Sequence, residues 1–329
     1  MDSEKRAIEM IKLASKTSFR YYQKPITVTY SGGKDSDVML HLFEISGEPF
    51  QVHNSHTTVD APETVYHIRK TFKRLEEKGI KCDIEMPTYK GKRTTMWQLI
   101  PEKKMPPTRL ARYCCAVLKE QSCKESMIAT GVRWDESNQR AERGHFEAIM
   151  KRKEDRIQIT PEQLREEHYI PEYIQMDIFH TFEETKELIL INDNEERRKF
   201  IERCQLKAKT VCNPIIDWDE RELWNYIRSE KIEVNPLYEC GFSRVGCIGC
   251  PMAGKHREFE FRRYPKYKDA YIRTFQKLVD ILRDAGAITR WKNGMDVFDW
   301  YMEINNEDSE KQINIFEAYG VELEGNEPW

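Results

Sequence analysis

The hydrophobic and polar positions of the first 140 residues alternate between strand-like and helix-like periods. Ile26–Tyr30 is β-branched and aromatic, as expected for a buried strand, and it stops at a serine and two glycines. Apolar residues then recur at helical spacing from Val38 to Phe43. Asp60, followed by a proline and Glu63, has the composition of a helix start. The pattern predicts strands over residues 26–30, 50–56, 80–86 and 127–132.

Strands that alternate with helices in this way predict a doubly wound parallel sheet, and hence an α/β fold, for residues 1–140. Residues 141–208 are highly charged, and we interpret them as a helical insertion over one edge of the sheet, with a charged helix over 182–208. Residues 209–265 contain a further helix and a cysteine-rich loop. Residues 266–329 are predicted to form a mainly helical C-terminal extension that ends in an acidic tail.

Composition narrows the class of protein. The 329 residues carry a formal net charge of −3 and 39% are hydrophobic, which favours a globular protein over a uniformly basic nucleic-acid binder. The N-terminus lacks a signal-peptide pattern and no apolar run approaches a membrane span, so we expect a cytoplasmic protein with no membrane partner. Thiols stay reduced in that compartment, so the nine cysteines call for an explanation by metal, chemistry or burial.

The hexapeptide Ser31–Ser36 (Ser-Gly-Gly-Lys-Asp-Ser) lies between a predicted strand and a predicted helix. Its glycines let the backbone approach phosphate oxygens, the helix N-terminus offers free N–H groups, and Lys34 adds a full charge. The spacing matches neither a Walker loop nor a dinucleotide fingerprint. The alternative interpretation is an ordinary glycine turn that happens to carry a lysine.

Several segments resemble motifs of known enzymes. Ser31–Ser36 resembles the pyrophosphate loop of the N-type ATP pyrophosphatases. Further segments resemble motifs of the phosphoadenosine phosphosulfate (PAPS) reductase family, in the same order: Thr130–Arg133 with Glu136, Ser137 and Arg140, then Asn213–Trp218, Asn235–Tyr238 and Gly246–Cys250. The chain is identified as a member of that family over about residues 20–140 and 210–265.

The resemblance implies an adenine nucleotide α-hydrolase-like fold, with the nucleotide across the carboxyl ends of the strands. Asp60 could contact ribose or a metal ion, or it could simply cap a helix. Arg133 and Arg140 could clamp phosphate or sulfate, or could pair with Asp135 or Glu136. The implied catalytic residues are Lys34, Asp60, Arg133 and Arg140. The implied nucleotide contacts are Ser31, Gly32, Gly33, Lys34, Asp35, Ser36, Gly131 and Arg133.

Two groups of cysteines suggest a metal or cluster. Cys247 and Cys250 form a C-x-x-C flanked by glycines, and Cys114-Cys115 is an adjacent pair upstream. The resemblance implies a [4Fe–4S] cluster on one of two ligand sets. The first set is Cys114, Cys115, Cys247 and Cys250, as in assimilatory adenylyl-sulfate reductases. The second takes one of Cys114 and Cys115 together with Cys240, Cys247 and Cys250, and is similar to the sulfur-activating proteins of DNA phosphorothioation. We favour the second, because Cys240 has no other evident purpose. Structural zinc on four thiolates is the competing interpretation.

The resemblance implies an enzyme that uses ATP and Mg²⁺ to adenylate a substrate for sulfur transfer. DNA is the favoured acceptor, and a sulfur-donor protein such as a cysteine desulfurase is the expected partner. Basic and aromatic residues interleave over 255–271, which suits nucleic acid, although helical spacing also fits core aromatics beneath a solvated face. The runner-up is sulfonucleotide reduction, disfavoured because no cysteine follows Cys250 in the segment where the reductases carry their nucleophile. The third interpretation is a non-catalytic nucleotide-binding subunit with zinc.

Overall fold

The computed structural model describes residues 3–120, 122–123, 126–136, 140–141, 143–149, 157–158, 187–190, 204–207, 209–287, 289 and 291–303. The strands of this part are β1 (Ile26–Thr29), β2 (Phe50–Ser55), β3 (Cys82–Glu85), β4 (Thr88–Tyr89), β5 (Lys92–Arg93), β6 (Ser126–Ala129), β7 (Phe146–Ile149), β8 (Ile157–Gln158), β9 (Glu187–Leu190), β10 (Cys204–Lys207) and β11 (Lys209–Cys212). The helices are α1 (Ser3–Tyr22), α2 (Lys34–Ser46), α3 (Pro62–Glu77), α4 (Met96–Glu102), α5 (Tyr113–Leu118), α6 (Glu220–Ser229), α7 (His256–Arg263), α8 (Pro265–Asp284) and α9 (Gly294–Glu303).

Within the described residues, seven strands form one sheet in the order β3-β2-β1-β6-β11-β7-β8. The first five are parallel, whereas β7 and β8 add antiparallel strands at one edge. Val28 lies beside Val52 on one side and Ala129 on the other, so the centre of the sheet is apolar. Buried parallel strands of this kind have near-continuous apolar sequences, which explains why β1 and β6 were predictable. The predicted α/β class is confirmed, with flanking helices and helices at the C-terminal end.

Two apolar clusters hold the elements together. The first packs α1, α2, α3 and α6 with the strands, and it includes Phe43, Phe72 and Trp218. The second is built from α4, α5 and the C-terminal helices α7, α8 and α9, and it includes Tyr271 and Phe298. The C-terminal helices therefore share a core with the helix that carries Cys114 and Cys115. None of the described helices is long and apolar enough to cross a membrane.

Several elements differ from the predictions because their partners are distant in sequence. β11 was not predicted, yet it pairs with β6 inside the sheet. The helix expected around 108–125 is reduced to the six residues of α5. Within 182–208, expected to be a helix, β9 and β10 form an antiparallel ladder instead. Short apolar runs fit helix and strand equally well, and pairing decides between them. β7 and β8 also fall within the predicted helical insertion, where they extend the sheet as antiparallel strands instead. Apart from residues 141 and 143–145, the remainder of the insertion and the tail at 304–329 lie outside the described residues.

Candidate nucleotide and thiol site

The Ser31–Ser36 loop leaves β1 and becomes the first turn of α2, whose N-cap is Gly33. Gly32 has a left-handed backbone with a φ of 72°, and a Cβ added there would lie 2.9 Å from Ile68 Cγ1. The Ser36 hydroxyl donates to the Gly33 carbonyl at 2.7 Å and accepts from the Gly33 N–H at 3.1 Å. The loop is therefore pre-formed at a helix N-terminus, which is the geometry that binds phosphate.

Lys34 is buried and surrounded by polar partners. Its Nζ lies 3.5 Å from Asp35 Oδ2 and 3.5 Å from Glu220 Oε1. The same Nζ is 5.6 Å from the centre of the Tyr238 ring. The Tyr238 hydroxyl accepts a hydrogen bond from the Lys34 backbone N–H at 3.0 Å. A phosphate bound in the loop would therefore compete with two carboxylates and one hydroxyl for the donors of Lys34.

Gly131 and Arg133 bring the segment after β6 against the loop. A Cβ on Gly131 would lie 3.0 Å from the backbone carbon and oxygen of Asp35, so this close approach requires glycine. Arg133 is buried, and its Nε donates to Asp35 Oδ1 at 2.6 Å while its Nη2 donates to Glu220 Oε2 at 2.6 Å. Burial lowers the pKa of Arg133, but the charge and hydrogen bonds of Asp35 and Glu220 outweigh it and raise the pKa overall. The guanidinium thus organises the carboxylates beside the loop.

The structure contradicts the helix-cap interpretation of Asp60 and gives Arg140 an ion-pair partner. The N-cap of α3 is Ala61, and Asp60 Oδ2 instead accepts from the Thr57 backbone N–H at 3.0 Å. The cap interpretation of Asp60 is therefore wrong, because this carboxylate closes the turn that precedes α3. Arg140 forms an ion pair with Glu136, one of the two partners considered from the sequence. Their roles toward a nucleotide stay predictions.

Four half-buried cysteines, Cys114, Cys115, Cys247 and Cys250, share one electrostatic environment. Arg112 Nη2 lies 3.4 Å from Cys115 Sγ. A hydrogen bond from the neighbouring Cys114 thiol, helped by Arg112 and Lys119, holds the pKa of Cys115 well below its usual range.

Two other thiols of this group, Cys114 and Cys247, keep their protons more readily. The hydrogen bond to Cys115 and burial raise the pKa of Cys114 well above its usual range. Burial raises the pKa of Cys247 to about 12, although Lys119 acts in the opposite direction. The negative charge of Cys247 and Cys115 in turn raises the pKa of Lys119. The arrangement is that of reduced thiols held close enough to influence one another, with cations available to compensate negative charge.

The turn between Cys247 and Cys250 is held by the C-terminal helices. The Tyr271 hydroxyl donates to the Ile248 carbonyl at 3.0 Å, and the Tyr301 hydroxyl donates to the Gly249 carbonyl. Glu260 Oε2 accepts from the Gly249 N–H at 2.7 Å. A Cβ on Gly249 would lie 2.5 Å from the Phe261 ring, so no larger residue fits there. These three side-chain hydrogen bonds come from α8, α9 and α7, respectively.

Cys240 differs from the four half-buried thiols in its surroundings. Its side chain is exposed, and Arg263 Nη2 lies 3.6 Å from its Sγ. The groups that raise the pKa of Cys114 include Cys115, Cys247 and Cys250. The choice between the two ligand sets stays a prediction, and this electrostatic grouping supports the set Cys114, Cys115, Cys247 and Cys250.

The donor chemistry of these four thiols fits a thiolate-ligated group. Soft sulfur ligands select zinc or iron–sulfur clusters over magnesium or calcium. In the part of the chain that the structure describes, however, no three His, Cys, Asp or Glu side chains already stand in the arrangement of a metal site. A cluster or zinc ion would therefore have to draw the four thiols together on binding.

A family model described as the phosphoadenosine phosphosulfate reductase domain matches residues 25–253. This match covers well over half of the chain and includes the loop, the Gly131–Arg133 segment and all four thiols. The chain belongs to the PAPS reductase family. The described helices α7, α8 and α9, from residue 256 onward, lie beyond the matched region.

The proteins similar to this chain align with very different shares of it. An uncharacterized protein of Methanocaldococcus jannaschii is 25% identical over 303 residues, which are 88% of this chain and 57% of that protein. The chain spans about half the length of the curated relatives that it matches over most of its sequence. Adenosine 5′-phosphosulfate reductase of Allochromatium vinosum is 42% identical over 41 residues, 12% of this chain and 16% of the reductase.

Among solved structures, PAPS reductase from Candida auris aligns with 73% of this chain and 87% of its own, at 15% identity and a TM-score of 0.41. A score below 0.5 at this identity carries no argument about activity. The family assignment therefore rests on the match to residues 25–253.

The basic and aromatic segment 255–271 of this PAPS reductase family member is largely structural. Phe261 and Tyr271 are buried in the second apolar cluster. Arg257 is also buried and donates to the Tyr301 carbonyl at 2.6 Å, and Arg263 forms an ion pair with Glu63 at 3.2 Å. The helical spacing of these aromatics thus reflects core packing, and nucleic-acid contact through this face stays a prediction.

Sequence reasoning missed two residues that shape the nucleotide side of the site. Glu220 joins Lys34 to Arg133, although in the sequence it reads only as part of a helix start. Tyr238 contacts the Lys34 amide, and Asn235 Nδ2 donates to the Gly32 carbonyl at 2.9 Å. The Asn235–Tyr238 motif therefore fastens the loop from outside. The Asn235–Tyr238 motif was visible in the sequence, but the spacing of its residues does not show that it contacts the Ser31–Ser36 loop.

Proposed function

We propose that this PAPS reductase family member is an ATP pyrophosphatase-type enzyme that adenylates a substrate for sulfur transfer. The observation that carries the proposal is the pre-formed glycine cradle of the Ser31–Ser36 loop at the N-terminus of α2, with Lys34 beside it. Asp60 is the candidate for ribose or metal contact, because it lies half-buried past β2 at the same edge of the sheet. This edge is where open α/β sheets bind nucleotides.

In the proposed reaction a substrate oxygen attacks the α-phosphorus of ATP. The bond between the α-phosphorus and the bridging oxygen to the β-phosphate breaks, and pyrophosphate leaves with that electron pair. The helix N-terminus and Lys34 would stabilise the charge that gathers on pyrophosphate. Asp35 and Glu220 carry carboxylate oxygens of the type that Mg²⁺ prefers, and Mg²⁺ would share the same charge. Arg133 would hold both carboxylates in place.

The acceptor that we propose is the DNA backbone. A thiol reductant would release sulfide from the persulfide of a sulfur-donor protein such as a cysteine desulfurase, and the reductant would be oxidised to a disulfide. The sulfide would then attack the adenylated backbone phosphorus, and AMP would leave with the substrate oxygen. Cys114, Cys115, Cys247 and Cys250 would hold a [4Fe–4S] cluster, which would supply a site for sulfur or electrons. Structural zinc on the same thiols is the alternative.

Sulfonucleotide reduction is the second candidate, and one observation favours it. The four thiols that influence one another electrostatically are the ligand set that the resemblance assigns to assimilatory adenylyl-sulfate reductases. The same loop would then bind the phosphates of a sulfonucleotide without cleavage of ATP.

The proposed function predicts that the protein converts ATP to AMP and pyrophosphate when DNA and sulfide are supplied. Lys34→Ala should lower pyrophosphate release at least about tenfold, because it removes the lysine charge of the cradle. The matched control is Lys73→Ala, an exposed lysine on α3. Thermal unfolding of both variants checks that neither effect reflects loss of the fold.

Three results would contradict the proposal. Sulfite release from adenylyl sulfate with thioredoxin, in the absence of pyrophosphate release from ATP, would establish the reductase instead. Release of ADP and orthophosphate would indicate attack at the γ-phosphorus. If ATP binds and no product forms under any condition, the chain is better described as a nucleotide-binding subunit.

A further inference from the structure

A strongly basic surface lies outside the nucleotide and thiol site. It comprises the β4–β5 hairpin and the end of α4, and we call it the basic hairpin patch. Its cations are Lys90, Lys92, Arg93, Lys103 and Lys104. Glu102 is the one acidic residue between positions 88 and 104, and its Oε1 lies 3.5 Å from Lys90 Nζ. A local excess of four positive charges is notable in a chain whose net charge is −3.

The patch is built on a fixed backbone. Lys90 and Gly91 both have positive φ, 49° and 75°, as the two-residue turn of a hairpin requires. Asparagine or glycine usually occupies the first of these positions, so lysine there is not explained by backbone geometry. Lys90 Nζ and Lys103 Nζ lie 5.3 Å and 4.7 Å from the centre of the Tyr89 ring. The aromatic ring thus ties the hairpin to the end of α4.

The remaining cations of the patch are available to a ligand. Lys92, Arg93 and Lys104 are exposed. Across the residues that the structure describes, none of the three forms an ion pair. Charges left uncompensated on the surface attract polyanions over distances of a Debye length.

The patch adjoins the thiols. Thr88, the first residue of the hairpin, lines a small cavity together with Val117, Leu118 and Lys119. These three residues form the end of α5 and the position after it, and α5 carries Cys114 and Cys115. The hairpin also follows β3 directly, at the same edge of the sheet where β1 leads into the Ser31–Ser36 loop. A polymer bound along the patch would therefore pass close to the candidate reaction centre.

We propose that the basic hairpin patch binds the phosphate backbone of the nucleic-acid substrate, an inference that rests on the proposed function. Four of the five cations are lysines. Lysine is depleted in protein–protein interfaces, whereas lysine and arginine supply most contacts to nucleic-acid phosphates. This composition favours nucleic acid over an acidic protein partner. It also assigns the contact to the hairpin rather than to the segment 255–271.

The test measures DNA binding without ATP, by fluorescence anisotropy with a labelled 20-base-pair duplex over a series of salt concentrations. The patch variant is Lys92→Glu, Arg93→Glu and Lys104→Glu together. The matched control places the same charge change elsewhere, with Lys12→Glu, Lys16→Glu and Lys73→Glu on α1 and α3. The patch variant should lose at least about tenfold in affinity at 0.1 M salt, and its slope of log K against log salt should fall by roughly 3.

Three results would overturn the inference. Equal losses in the patch variant and the control would indicate a general effect of net charge. A loss found instead with Arg262→Glu and Lys266→Glu would assign the contact to α7 and α8. Unchanged DNA binding, with lost response to the sulfur-donor protein, would indicate a protein docking surface.

Failure of this inference is distinguishable from failure of the proposed function. Lys34→Ala should retain DNA binding, and the patch variant should retain its affinity for ATP. If the patch variant binds DNA as tightly as the unchanged protein and pyrophosphate release is intact, the inference alone is contradicted.

Discussion

At the scale of single residues, the neighbouring glycines of the Ser31–Ser36 loop serve different purposes. Gly32 has a left-handed backbone, and a Cβ added there would press against the Ile68 side chain. Its lack of a side chain is therefore required by the fold. Gly33 has an extended backbone with a φ of −102°, which any residue can adopt. A Cβ on Gly33 would face the Tyr238 hydroxyl at 3.5 Å and Ser31 Oγ at 3.8 Å, in the space of the cradle. The fold itself leaves room for a small side chain there, so we propose that a phosphate ligand, and not the fold, requires glycine at this position.

This difference predicts opposite outcomes for two substitutions. Gly32→Ala should lower the free energy of unfolding by about 1–3 kcal/mol, because it adds backbone strain and a contact with Ile68. Gly33→Ala should change the free energy of unfolding by less than about 1 kcal/mol and should weaken ATP binding, because the methyl group enters the cradle. Urea unfolding and calorimetric titration with ATP measure the two effects. Normal ATP affinity in a folded Gly33→Ala protein would contradict a phosphate site here.

Which residues meet at the loop was only partly predictable. The hexapeptide and Arg133 were found from local motifs, because each motif is contiguous in sequence. The contacts of Arg133 with Asp35 and Glu220 depend on the packing of three elements. The pairing of Arg133 with Asp135, considered from the sequence, is present at 3.7 Å, but the closer contacts with Asp35 and Glu220 could not be read from spacing. Pairings between distant segments are decided by the fold, which the sequence pattern does not describe.

At the scale of elements, helices beyond the matched family domain support the Cys247–Cys250 turn. Tyr271 on α8 and Tyr301 on α9 donate to two successive carbonyls of the turn, and Glu260 on α7 accepts from its Gly249 N–H. Burial raises the pKa of Tyr271 and of Tyr301 well above the usual value, so both hydroxyls keep their protons and remain donors. The C-terminal helices thus position this pair of thiols.

We therefore predict that Tyr301→Phe disturbs the turn without touching a thiol. Loss of the donor leaves a buried carbonyl unsatisfied, which should cost about 1–3 kcal/mol in unfolding free energy. A chelator should also remove bound metal faster from this variant than from the unchanged protein. The control is Tyr66→Phe, whose ring is 73% exposed. Equal stability and equal metal release in both variants would mean that α9 does not support the turn.

The elements themselves were predictable to different degrees. β1 was found because its sequence is β-branched and aromatic, as expected of a buried parallel strand, and α3 was found from the helix-start composition of residues 60–63. β11 was missed because its four residues, Lys-Thr-Val-Cys, show no distinctive pattern. The strand is stabilised by β6 and β7 on its two sides, and neither neighbour is adjacent to it in the chain.

At the scale of the whole molecule, the fold couples two groups of cysteines that are far apart in sequence. Cys114 and Cys115 lie on α5, before β6, whereas Cys247 and Cys250 follow the sheet entirely. The antiparallel bridge between Asp60 and Cys247 fixes the second pair against the segment after β2. In sequence Cys240 precedes the C-x-x-C pair and has no other evident purpose, but its side chain is exposed, whereas the four thiols are half-buried.

The last prediction tests this assembly through metal content. Anaerobically purified protein should contain about four irons and four sulfides per chain if a cubane cluster forms on four thiolates. Cys114→Ser, Cys115→Ser, Cys247→Ser and Cys250→Ser should each lose most of the iron and sulfide, because each removes a thiolate that the others cannot replace. Cys240→Ser should keep both, since its thiol is exposed beside Arg263 and separate from the four. Cys82→Ser serves as a control for substitution of a cysteine that packs against the first apolar cluster.

The variants that lose bound metal identify the ligands. The kind of metal bound distinguishes an iron–sulfur cluster from structural zinc. Loss of iron in Cys240→Ser, with retention in either Cys114→Ser or Cys115→Ser, would reinstate the set that includes Cys240 and would mean that the loop around it rearranges on cluster binding. One zinc per chain without sulfide, lost in the same four variants, would keep the ligand set but make the site structural. Thermal unfolding of each variant in the metal-free state separates these outcomes from simple misfolding. Because serine differs from cysteine by one atom and these side chains are only half-buried, the metal-free variants should unfold within a few degrees of the metal-free parent. This is roughly the shift that 1 kcal/mol produces in a chain of this size.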